Sequence, residues 1–312
     1  MEISLILFKK LLIMFIYMFF GYVFFKSGII TEKRNRYLSN ILLYIIFPVV
    51  IVNSFAVKKT ADNISAFVSS FFLAIISLLI SMFISHIIYE RYYYKRYEKK
   101  LKVDDIGVAF SSAAFMGIPI VASLFTKNSV FYVSSFAAIL TFLQWTYGVR
   151  VMSGSGEYIK IKKILTNPVL ISMLIGLFLY SFEIEVVSPI RNIFAVISYL
   201  NAPIVMIILG VYLAQTDILS MFSDKTVYLS SFLRLILIPL LTMLIINFIP
   251  ASKDIKMIIM IAASAPVGSN VAIFAKIYGG DYKKAVKIVC MSTLLCIISM
   301  PMILGISNVF FK

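Results

Sequence analysis

Ten stretches of this chain are apolar for long enough to cross a lipid bilayer, and that repetition constrains the fold more than any other feature. A helix rises about 1.5 Å per residue, so roughly 20 apolar residues cover the hydrocarbon core. The stretches fall at about 5–25, 37–57, 66–89, 105–126, 129–149, 168–184, 190–214, 226–248, 255–278 and 285–310, the sixth being the least secure. Composition agrees, since 61% of the 312 residues are hydrophobic and 14% are charged. A soluble domain carries roughly 25% charged residues to wet its surface. No connection is long enough for a separate soluble domain. The first run passes into a charged loop rather than a small-residue cleavage site, so it reads as a span and not as a removable signal.

The net charge of +15 would suit a nucleic-acid partner, but the basic residues gather in short segments between apolar runs. That is where a membrane protein keeps its cytoplasmic loops. With the N-terminus outside, the inner loops hold Lys26, Lys33, Arg34 and Arg36, then Arg91 to Lys102, Arg150 to Lys163, Lys225, Lys283 and Lys284. Fewer basic residues, among them Lys58, Lys59, Lys127 and Arg191, face outward. The expectation is a multi-pass protein of the cytoplasmic membrane with both termini outside and no nucleic-acid partner. Lys9 and Lys10, near the outer end of the first run, must then snorkel. Tyr89, Tyr92, Tyr93, Tyr94 and Tyr97 form an interfacial belt with the basic loop Tyr92 to Lys102, which reads as lying against anionic headgroups.

Catalytic chemistry finds little support. His86 is the single histidine, which excludes a two-histidine metal helix, and neither a nucleophile elbow nor a phosphate-binding loop occurs. Cys290 and Cys296 both lie in the last apolar run and read as small packing residues. The chain is therefore expected to be no enzyme and to carry no cofactor. Without a nucleotide site, transport would draw on a gradient. Asp104, Asp105 and Asp281 fall at helix ends, so no buried carboxylate proton carrier is visible, and proton coupling, sodium coupling and uniport all stay open.

The two halves of the chain resemble each other. Gly21 and Pro48 flank the first loop at a separation of 27 residues, and Gly176 and Pro203 flank the sixth at the same separation. The fourth run carries Gly117-Ile118-Pro119 near its middle, and the ninth carries Ala265-Pro266-Val267-Gly268. Two five-helix halves insert with opposite orientation because five is odd, which is the inverted-repeat plan of many secondary carriers. The expected fold class is all-α integral membrane, ten transmembrane helices in a 5+5 inverted repeat, with helices four and nine broken and crossing. Residues 1–150 form the first repeat, 151–167 a cytoplasmic linker and 168–312 the second repeat.

Breaks of this kind have a physical use. Proline frees a carbonyl in the preceding turn, and unwound backbone at membrane depth belongs where protein or water covers it. Half-helix N-termini meeting at mid-membrane aim partial positive charge at one point, which suits a carboxylate. Candidate substrate ligands are Ser111, Ser112, Gly117 and Pro119 on the fourth run, and Ser264, Pro266, Ser269 and Asn270 on the ninth. Asn270 is the strongest, because its amide is costly to bury unpaired. Arg234, roughly 12 Å into the eighth run, is a candidate charge partner for a substrate carboxylate or for a helix C-terminus, with snorkelling to the cytoplasmic surface as the alternative. Lys276 and His86 read as interfacial.

Several stretches in order resemble the auxin efflux carrier family: Gly21-Tyr22 with Lys26-Ser27-Gly28-Ile29-Ile30, Leu38-Ser39 and Pro48; Phe115-Met116-Gly117-Ile118-Pro119; Ala202-Pro203 with Leu209-Gly210 and Leu213-Ala214; and Ala265-Pro266 with Ala275, Tyr278-Gly279, Asp281, Ser292-Thr293-Leu294-Leu295 and Pro301. The resemblance runs almost end to end. It implies a sodium/proton-antiporter-like and bile-acid-symporter-like architecture, a scaffold domain and a moving transport domain, a homodimer, and a small organic anion as substrate. It puts Pro119 and Pro266 at the crossover and Asn270 at the site. The family pattern has an asparagine about seven residues before the fourth-helix proline, where this chain has Ser112. The chain lacks the long central loop of the plant exporters, so auxin itself is not the expected substrate. A sodium-coupled symporter of the bile-acid type and a non-transporting membrane receptor or enzyme are the competing readings.

Overall fold

The computed structural model describes residues 2–93, 101–125 and 129–311, and within them all regular structure is helical. Among the described residues, seven helices are long and apolar enough to span: α1 (Glu2–Lys26), α2 (Glu32–Ser54), α3 (Ala61–Tyr89), α6 (Ser129–Ser153), α8 (Ser188–Gln215), α9 (Lys225–Asn247) and α12 (Tyr282–Phe310). The sixth apolar run is a shorter helix, α7 (Pro168–Ser181). The fourth and ninth are each interrupted, the fourth into α4 (Lys102–Ala109) and α5 (Ala113–Leu124), the ninth into α10 (Lys253–Ser264) and α11 (Asn270–Tyr278). Most of the basic tyrosine-rich segment after α3 lies outside the described residues.

Local chemistry sets the helix ends. Thr31, Thr60, Asn167, Ser252 and Asp281 each accept a first-turn N–H through the side chain, satisfying a donor that the helix leaves open. Gly154 and Gly279 end α6 and α11 at φ of 78° and 74°, a left-handed conformation that a Cβ would strain. The ladder widens to a π-type turn at Leu42–Ile46, Ala113–Gly117 and Leu233–Leu237. Each of these turns precedes Pro48, Pro119 or Pro239, whose ring excludes the ordinary bond to the preceding turn.

The outer surface is apolar rather than polar. Phe19, Phe83, Leu174, Val196 and Ile298 are all more than 60% exposed, as side chains facing lipid would be. Helices approach closely through small residues. A Cβ on Gly21 would overlap the backbone oxygen of Ile207, and one on Gly210 would overlap that of Met18, so α1 and α8 touch backbone to backbone. Gly176 brings α7 against the ring of Phe55, just past α2. The centre of the molecule is filled by α4 and α10. The first packs against α3, α9 and α12, the second against α3, α6, α9 and α12.

Candidate functional site

The two interruptions meet. After Ala109 the chain runs extended at Phe110, and after Ser264 it does so at Ala265. There the segments pair as a single antiparallel bridge, Ser111 opposite Val267. The Ser112 amide donates to the Pro266 carbonyl at 2.6 Å and the Gly268 amide to the Phe110 carbonyl at 3.1 Å. Backbone groups that a helix would have paired internally are thus paired across the crossing, as hydrocarbon requires. The approach needs Gly268, since a Cβ there would stand 3.0 Å from the Ser111 oxygen. The Val267 amide is met from α12 by the Ser292 hydroxyl at 3.1 Å.

Four half-helix ends surround this crossing, and their charges are treated differently. Arg234 of α9 is 1% exposed and reaches the two C-terminal ends. Its Nε donates to the Ala265 carbonyl at 3.2 Å, and one terminal nitrogen donates to the Val108 carbonyl at 3.2 Å and the Ser81 hydroxyl at 3.4 Å. The other terminal nitrogen donates to the carbonyl of Ala263. Of the roles open to Arg234 in the sequence, the structure takes the helix C-terminus, for α4 and α10 together. At the two N-terminal ends no basic or acidic side chain is bonded among the described residues. Ser112 stands at the N-cap of α5 and Ser269 at that of α11. The Asn270 amide donates to Gln144 Oε1 on α6 at 3.0 Å. Ser111, 1% exposed, has no partner for its hydroxyl among the described residues.

Ser111, Ser112, Pro266, Ser269 and Asn270 therefore lie at or beside one crossing. Pro119 and Gly117 do not share that place. The break falls at Phe110–Ser112, while Pro119 stands further along α5, where its ring supports the π-type turn instead. Gly117 lets α5 approach α10, its Cβ position lying 3.6 Å from the Ala262 backbone. Ser264 bonds back to the Met260 carbonyl at 2.7 Å. Lys276 is exposed and pairs with Glu32 at 2.9 Å, and His86 is exposed.

Three features escaped the sequence reading. Gln144 looked like one polar residue in an apolar run, yet it lies in a π-type turn, a feature frequent at functional sites, and is 2% exposed. Ser292 read only as part of a family stretch. Asp104 and Asp105, expected at an interfacial helix end, are buried, because α3, α9 and α12 close over the start of α4. Asp104 pairs with Lys284 at 2.6 Å and accepts from the Ser230 hydroxyl at 3.0 Å, which also bonds Tyr89 at 2.8 Å.

A multi-pass helical membrane protein with paired interruptions at its centre is the architecture of a transporter. The chain matches the family described as "Membrane transport protein" over residues 6–304 and belongs to it, which agrees with the auxin efflux carrier resemblance of its motifs. No curated protein matches it.

Proposed function

We propose that this protein is a secondary carrier or uniporter that moves small organic anions, such as malate-like carboxylates or amino acids, outward across the cytoplasmic membrane. Ten helices form its 5+5 inverted repeat, with both termini outside. Packing between elements supports the repeat. Contact of α1 with α8 is answered by that of α7 with α2, and contact of α3 with α6 by that of α9 with α12. In this reading α1, α2, α7 and α8 form a scaffold through which the protein dimerises, and the remaining helices move against it as an elevator.

The observation that carries the anion assignment is the unequal treatment of the crossing's poles. Each helix end bears about half an elementary charge. The two C-terminal ends, about −1 together, are offset by Arg234. The two N-terminal ends, about +1 together, have no bonded counter-charge among the described residues, and they adjoin Asn270 and Gln144. One carboxylate balances them, and the two amides supply hydrogen bonds that orient it.

The test is a thermal-shift screen of the purified protein in detergent against organic acids, amino acids and indole acids, each with and without sodium, followed by flux of the stabilising acid in sealed vesicles. A bound acid raises the unfolding midpoint by mass action. Asn270→Ala and Gln144→Ala are expected to weaken the response about tenfold or more, since each removes a hydrogen bond to a charged group. An acid that binds equally well to both variants removes the crossing as the site, and an acid that binds but never crosses the vesicle favours a receptor.

A further inference from the structure

Arg234 is the largest fully buried side chain among the described residues. Its bonded acceptors are all neutral oxygens, the carbonyls of Val108, Ala263 and Ala265 and the hydroxyl of Ser81. Four of the five guanidinium N–H groups are thereby used. No carboxylate bonds it among the described residues, although a buried cation without one is costly. Two converging helix C-termini supply the compensating negative potential instead.

Neutral oxygens gathered at the C-terminal ends of unwound half-helices are also the ligand set from which crossing-helix carriers build alkali-cation sites. We propose that the guanidinium of Arg234 is a tethered cation filling such a site, and that the oxygens of Ser81, Val108, Ala263 and Ala265 take up sodium once the guanidinium is removed. The wild-type protein then carries its counter-cation covalently and has no vacancy there for a coupling ion. The cation site stands on the geometry alone. Its consequence, transport independent of sodium, rests on the carrier reading.

Thermal unfolding of purified Arg234→Ala in detergent, in sodium, potassium or choline chloride at equal ionic strength, tests this without any organic anion, so its failure is separate from failure of the carrier reading. Wild type is expected to unfold at one temperature in all three salts. Arg234→Ala is expected to unfold lower in choline and to recover by about 3–5 °C as sodium rises. Adding Ser81→Ala should remove much of that recovery by deleting a ligand. Arg234→Lys, which keeps a charge in the cage, should be folded and indifferent to the salt. A folded Arg234→Ala that responds to neither sodium nor potassium overturns the proposal. So does one that aggregates in every salt, a wild type stabilised by sodium as strongly as the variant, or an Arg234→Lys that gains sodium stabilisation.

Discussion

Single residues decide how near the backbones come, and hence whether the crossing can form. At Gly268 a Cβ would press on the Ser111 carbonyl, and at Gly210 one would overlap the Met18 backbone oxygen. In both places the obstacle is main chain, which cannot turn aside as a side chain can. Gly210→Val is therefore expected to destabilise the protein by about 2–3 kcal/mol through overpacking, lowering the thermal unfolding midpoint in detergent by several degrees. Gly156, with nothing within 4 Å of its Cβ position among the described residues, serves as the control, and Gly156→Ala should leave the midpoint unchanged. Equal effects of the two substitutions would contradict backbone contact between α1 and α8. Ser111 illustrates the opposite economy. Its buried hydroxyl has no partner among the described residues, a cost normally avoided, and it lies beside the N-terminal poles where the anion is proposed to bind.

For the elements, the recurring problem is the helix end. α9 is capped at its N-terminus by Asp224, whose carboxylate accepts from the amide of Thr226 at 2.9 Å and from its hydroxyl at 2.8 Å. Burial pushes this carboxyl up, but the Thr226 hydrogen bonds, the charge of Lys284 and the Val227 amide together outweigh that and hold it below the usual carboxylate value. A group whose folded pKa is depressed contributes in full above its unfolded pKa and loses that contribution as pH falls through the folded one. Asp224→Ala is accordingly expected to cost about 1 kcal/mol at neutral pH, with the gap to wild type closing as pH falls through the acid range. Paired thermal unfolding across pH checks this, and a gap that persists in acid would assign the cost to packing. The interrupted helices solve the end problem differently. Their internal ends are tied by backbone pairing across the crossing and by Arg234, neither of which is available at the membrane surface.

In the whole molecule, the proposed scaffold and moving helices meet at both faces. At one, Phe55 packs edge-on against Phe131, centroids 5.1 Å apart, with Phe67 and Tyr180 completing the cluster. At the other, Glu32 at the start of α2 pairs with Lys276 in α11 at 2.9 Å. As an exposed ion pair it contributes little stability, but it links α2 of the proposed scaffold to α11 of the proposed moving part. Cross-linking Glu32→Cys to Lys276→Cys is expected to abolish flux of the acid found in the screen, with recovery on reduction. Cys290 and Cys296, both buried, should not compete for the reagent. Undiminished flux through the cross-linked protein would mean that these two helices do not separate during transport.

The sequence alone determined that the chain is a helical membrane protein of this transporter family, because run length, low charge and ordered motifs are properties of local segments that no tertiary contact can reverse. It also placed Pro266, Ser269 and Asn270 beside the ninth-helix break that Pro266 and Gly268 mark, and it named Ser111 and Ser112 only as neighbours of Pro119. It set Pro119 at the crossing because proline is the visible breaker. The actual break, at Phe110–Ser112, arises where two segments exchange backbone hydrogen bonds, a gain that exists only once they meet. The partners of Arg234, the bond from Asn270 to Gln144 and the burial of Asp104 were likewise settled by tertiary structure. Each depends on an oxygen or a covering helix far away in sequence, and burial in a membrane protein is decided by which neighbour packs over a residue and not by its distance from the end of an apolar run.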